Sequence, residues 1–116
     1  EQISQLQVSS HLLIERNGSI IQFVPFNKKA WHAGISKFQG RENCNEFSIG
    51  IELEGTDNLD YTKNQYESLV EATKEIMKVY PAISKENIVG HSDIAPDRKT
   101  DPGDSFNWNL YLHNLF

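Results

Sequence analysis

A chain of 116 residues, 38% hydrophobic and 10% aromatic, is long enough for one compact core and too short for two. Its formal charge of −5 argues against a nucleic-acid groove or an anionic membrane surface as the main partner, because both reward positive potential. Cys44 is the single cysteine, so an internal disulfide is ruled out, and no apolar run has transmembrane or signal-peptide character; a reducing cytoplasm is the expected setting.

In chain order, HLLIERNGSIIQFVP sets apolar and β-branched residues on either side of Asn17-Gly18. This pattern predicts a β-hairpin, Leu12 to Arg16 against Ser19 to Val24, closed by a type I′ turn. The stretch from Pro25 to Phe47 shows neither helical nor strand period, and so long a connection in so small a domain is expected to be a functional loop. FSIGIELEG alternates Ile49, Ile51 and Leu53 with Gly50, Glu52 and Glu54, predicting a strand with one apolar face and both carboxylates on the other.

Thr62 and Gln65 have capping-box spacing. Behind them Tyr66, Leu69, Val70, Ile76, Met77 and Tyr80 recur at helical spacing, a stripe best read as packing onto the sheet, and Pro81 ends the run. NIVGH predicts a short buried strand, an aspartate-rich turn follows, and SFNWNLYLHNLF predicts a closing amphipathic helix. No repeat, linker or low-complexity tract interrupts the chain.

The chemistry-bearing candidates concentrate in VGHSDIAPDRKTDPGDSF. His91 ends the predicted strand and Asp101 lies ten residues on, past Pro96 and just before Pro102-Gly103. A turn that brings an imidazole and a carboxylate together makes acceptable zinc ligands, whereas a histidine at a strand end also serves as a hydrogen-bonded edge residue. Arg98 and Lys99 are either stabilisers of negative charge on a substrate oxygen or solvated surface cations. Glu52 on a cleft-facing strand would have its pKa raised toward the range of a general base, with Glu54 and a plain sheet-face ion pair as the alternatives. His11 and His32 each suit metal binding, sugar stacking or loop hydrogen bonds, and His113 reads as a surface residue.

VSSHLLIERNGSIIQFVPF, AWHAGISKFQGRENCNEFSIGIELEGTDNLDYT and GHSDIAPDRKTDPG occur in that order. Together they closely resemble the AmpD-type 1,6-anhydro-N-acetylmuramyl-L-alanine amidases, part of a zinc amidase family that also includes peptidoglycan recognition proteins and phage amidase lysozymes. The resemblance covers nearly the whole chain. It implies an α/β fold, a central mixed β-sheet flanked by helices, with residues 1–116 forming a single amidase domain. It also implies zinc (Zn2+) as cofactor, with His91 and Asp101 as ligands and Glu52 and Lys99 as the catalytic pair. Trp31 and His32 of WHAG would line a muropeptide cleft, with Arg98 as a further substrate-binding candidate. The implied reaction is hydrolysis of the amide joining muramic or 1,6-anhydro-muramic acid to L-alanine during cytoplasmic cell-wall recycling. The partner is then a small muropeptide, not nucleic acid or a membrane.

Two departures qualify this picture. The family's third ligand is a histidine on a strand well upstream of VSSH, and this chain starts too late to contain it. The chain is therefore expected to be the C-terminal portion of a longer domain without its N-terminal strand region, an N-terminal fragment of the same protein being a candidate partner. A non-catalytic muropeptide-binding module is the alternative function. Gln7 stands where related amidases often carry a basic residue that contacts the peptide.

Overall fold

The computed structural model describes residues 10–30, 33, 36–56 and 58–116. Its strands are β1 (Leu12–Ile14), β2 (Ile20–Gln22), β3 (Lys37–Phe38), β4 (Arg41–Glu42) and β5 (Ile51–Leu53), and its α-helices are α1 (Lys63–Val79), α2 (His91–Ile94) and α3 (Trp108–Leu115). The main sheet has the order β2-β1-β5, antiparallel between β1 and β2 and parallel between β1 and β5. It is the mixed, helix-flanked sheet expected from the sequence.

The first hairpin forms with Leu12 opposite Gln22 and Ile14 opposite Ile20, but its turn differs from the expected type. Asn17 does not adopt positive φ; Gly18 alone does, at φ 93°, and its N–H donates to the Glu15 carbonyl at 2.8 Å. The connection is a three-residue loop in which Arg16 and Asn17 make an ordinary turn and Gly18 takes the left-handed position. A side chain at 18 would also press on Asn64 and Ser68 of α1, so packing reinforces the choice of glycine.

The span 25–47 is not structureless. Gln39 and Gly40, both at positive φ, turn β3 back onto β4, and a 3₁₀ helix covers Cys44–Glu46. This hairpin escapes period-based reading because two-residue strands carry no detectable alternation. NIVGH also departs from expectation: a 3₁₀ turn covers Lys85–Asn87, Ile88 and Gly90 are extended without strand pairing, and His91 opens helix α2 instead of ending a strand.

Helix α1 starts as its capping box dictates, with the Gln65 N–H donating to Thr62 Oγ1 at 3.1 Å and the Thr62 N–H donating to Gln65 Oε1 at 3.0 Å. Gln65 is fully buried, and its Nε2 also donates to the carbonyls of Ile14 and Glu54. One side chain thus pins the helix start to the ends of β1 and β5. Leu69 and Ile76 bury the apolar stripe, while Tyr66 and Val70 pack at its margin. The core closes around Phe106, whose ring meets Tyr61, Tyr66, Trp108 and Tyr111 at centroid distances of 5.8, 5.4, 4.9 and 5.7 Å. Each such pair adds about 0.5–1.5 kcal/mol beyond burial. Phe106 lies five residues after Asp101, so this cluster anchors the turn that carries the candidate site.

Candidate active site

Three elements deliver the polar groups. Glu52 is the central residue of β5, paired with Leu13 of β1. His91 is the first residue of α2, and Asp101 sits in the turn that follows that helix. The turn folds back because the Asp101 carbonyl accepts the Ser92 N–H at 3.0 Å and the Tyr61 hydroxyl donates to the Pro102 carbonyl at 2.8 Å. Gly90 permits the approach: a Cβ there would lie 2.6 Å from Pro102 Cδ, closer than real Cβ atoms come. Asp93 accepts the Gly90 N–H at 2.8 Å, so one of the other acids of this stretch holds the start of α2.

His91 Nδ1 consequently lies 2.6 Å from Asp101 Oδ2 and 3.6 Å from Glu52 Oε2. One ligand atom from each of the three residues falls within 4.8 Å of the others. An imidazole nitrogen converging with carboxylate oxygens is a donor set that suits zinc, so these side chains fit the metal implied by the sequence. Burial pushes the Glu52 carboxyl above the ordinary carboxylate range; His91 pulls it back, Asp101 repels it upward, and Lys99 offsets part of the rise. At Asp101 burial also pushes upward, but the hydrogen bond and charge of His91, with help from Lys99, outweigh it and hold the carboxyl low. The two acids are therefore pushed in opposite directions, Glu52 toward holding its proton and Asp101 toward ionisation beside the imidazole.

Among the sequence candidates, Glu52, His91 and Asp101 come together, and Lys99, half-buried just after α2, acts electrostatically on both carboxylates. Glu54 does not join them; it lies just past the end of β5, and its exposed carboxylate accepts the Arg16 N–H at 2.8 Å. Arg98 donates from its guanidinium to the Ala33 carbonyl, tying the turn to the segment before β3. Trp31, His32 and Gln7 lie outside the described residues. His11 is not presented to a ligand: it is fully buried, its Nε2 2.7 Å from the Lys28 carbonyl and its Nδ1 accepting the Gly50 N–H at 3.1 Å. His113 is exposed, as read from sequence. The residues sequence reasoning missed are Gly90 and Tyr61, which hold the site without touching its chemistry. A glycine just before the histidine and a proline just after the aspartate were the visible signals.

His91 and Asp101 of the cluster, though not Glu52 or Lys99, line a cleft of about 740 Å3 whose walls also include Phe38, Arg41, Phe47 and Trp108. A mixed sheet with a strand carboxylate set against an imidazole–carboxylate pair defines an α/β protein with a donor set that could hold a metal ion. The chain belongs to the N-acetylmuramoyl-L-alanine amidase family, whose sequence profile matches residues 1–104. It is 61% identical over 107 residues to the 1,6-anhydro-N-acetylmuramyl-L-alanine amidase AmpD of Escherichia coli K12, covering 92% of this chain and 58% of that protein. The crystal structure of a selenomethionine AmpD derivative superposes with a TM-score of 0.91 at 56% identity, covering 98% of this chain and 63% of that one. The E. coli amidase AmiD, solved in complex with its substrate anhydro-N-acetylmuramic acid-L-Ala-D-γ-Glu-L-Lys, superposes at 0.85 with 38% identity, covering 97% of this chain and 51% of that one. The chain thus spans a little over half the length of these relatives.

Proposed function

We propose that this chain carries the catalytic centre of an amidase that hydrolyses the bond between the lactyl group of anhydro-N-acetylmuramic acid and the L-alanine of a muropeptide. The observation that carries the reading is the convergence of Glu52, His91 and Asp101, with the proton affinity raised at Glu52 by burial and held low at Asp101 by His91 and Lys99. Similarity to AmpD and to the substrate-bound AmiD supports the choice of substrate.

His91 and Asp101 are the side chains that would hold zinc, which when bound supplies Lewis acidity at the scissile carbonyl. Glu52 takes a proton from the attacking water and hands it to the departing alanine nitrogen, so that a good leaving amine replaces a poor amide anion. Lys99 places positive charge where the carbonyl oxygen becomes an oxyanion. The 2.6 Å contact between Asp101 Oδ2 and His91 Nδ1 already turns these two side chains toward one another.

We assign the protein to the cytoplasm on its single, buried, free cysteine, Cys44, and on its similarity to the AmpD amidases. The deciding experiment incubates the purified chain, with the upstream segment that would carry the third ligand supplied in trans, with anhydro-N-acetylmuramyl-L-Ala-D-γ-Glu-L-Lys, with and without added zinc. Release of a peptide with a free alanine amine, abolished by chelation and by Glu52→Gln, is expected. Binding of the muropeptide without any amine release under zinc saturation would refute the enzyme and leave a recognition module.

A further inference from the structure

We propose that Arg41 is a specificity-determining residue that binds a free carboxylate of the stem peptide. The hairpin of β3 and β4 is short and tightly turned at Gln39-Gly40, and its register sets Phe38 opposite Arg41 and Lys37 opposite Glu42. Cross-strand partners share a face of the pleat. Phe38 and Arg41 accordingly line the cleft that holds His91 and Asp101, whereas Lys37 and Glu42 line a separate depression beside Pro96 and Asp97. The neighbouring acid on the same strand is thereby turned away from Arg41.

The Arg41 guanidinium lies 3.9 Å above the centre of the Phe47 ring, another wall of the cleft. A guanidinium carbon held over a ring keeps N–H groups available for a bidentate carboxylate. Among the described residues no carboxylate forms an ion pair with Arg41, in a chain whose net charge is −5. A pre-oriented cation at the cleft wall, stripped of the nearest acid by the pleat, is built for an acid that arrives with the ligand.

The inference rests on the muropeptide reading above. In a stem of L-Ala-D-γ-Glu-L-Lys, the γ-linkage leaves the glutamyl α-carboxylate free, and the C-terminus supplies a second carboxylate. Both stand on the peptide side of the scissile bond.

The test measures binding by calorimetry and turnover by amine release, for the unaltered chain and for Arg41→Met. Three ligands are compared: the free-acid anhydromuramyl tripeptide, its glutamyl α-amide and its C-terminal amide. Arg41 is exposed on a hairpin, so its truncation leaves the core intact. Amidation of one carboxylate should weaken binding to the unaltered chain about 10- to 100-fold, the range for a hydrogen-bonded charge pair. Arg41→Met should weaken the free acid by the same factor and leave binding of that one amide unchanged; which amide behaves so identifies the carboxylate. The loss should fall in KM with kcat retained, as for a group that grips substrate and transition state alike. Equal weakening of all three ligands by the substitution, or no weakening of any, overturns the assignment. Binding that follows the expected pattern without hydrolysis by the unaltered chain overturns the amidase reading and supports the Arg41 assignment.

Discussion

Gly90→Ala isolates the contact that builds the candidate site. The backbone at Gly90 has φ −90° and ψ 163°, which any residue adopts, so the substitution introduces a steric effect and no conformational strain. The added Cβ would stand 2.6 Å from Pro102 Cδ and 3.3 Å from the Asp101 carbonyl oxygen. Both belong to backbone or ring, not to the tip of a flexible side chain. Restoring an ordinary contact of 3.4 Å requires Pro102 to retreat by about 0.8 Å, and Asp101 is carried with it. The 2.6 Å approach of Asp101 to His91 Nδ1 would then open beyond hydrogen-bond range. Overpacking of this kind destabilises by about 1–3 kcal/mol. A displacement near 1 Å at reacting groups lowers turnover by roughly a hundredfold. Denaturant unfolding reads the first effect and amine release from the anhydromuropeptide the second. A Gly90→Ala protein with unchanged unfolding midpoint and unchanged turnover would show that the turn yields freely, and the reasoning would fail.

Other outcomes follow from the same geometry. Glu52→Gln should lower turnover at least about a hundredfold, the low end for losing a general base. The same substitution should raise the thermal midpoint at neutral pH, because a carboxyl whose folded pKa is raised contributes its full stability below the unfolded pKa and loses it as pH rises through the folded value. A lower midpoint would contradict this. His11 has its pKa lowered by burial, only partly offset by the Lys28 carbonyl, so the unfolded chain gains the proton first and stability falls as pH drops below about 6.5, the ordinary histidine value. Denaturation midpoints between pH 7 and 5 should decline less steeply in His11→Asn than in the unaltered chain, and parallel slopes would refute the linkage. Gln65→Leu would strand the buried carbonyls of Ile14 and Glu54 at about 1–3 kcal/mol each, measured by urea unfolding; a near-neutral result would mean that water replaces the amide.

Some of this protein is written locally. The capping box at Thr62 and Gln65, the stripe of Leu69 and Ile76, and the helix after Asn107 are legible because each depends on residues within a turn or two of one another. The first hairpin is legible for the same reason, although the number of loop residues between its strands, and hence the turn type, depended on how Gly18 packs against α1. The motif residues His91, Asp101 and Glu52 could be nominated from the sequence and its resemblances, but the choice between Glu52 and Glu54 could not. That choice follows from β5 pairing with β1 and from Arg16 occupying Glu54, contacts made across 38 residues of chain. The β3–β4 hairpin and the helical start at His91 were hidden because two-residue strands and a four-residue helix have no period to detect. What only the tertiary structure decided is the site itself: Gly90 against Pro102, Tyr61 holding Pro102 across 41 residues, and the aromatic cluster behind them. Propensity and pattern act over a few bonds, whereas a reactive arrangement of side chains is fixed by close packing between segments that meet only once the chain has folded.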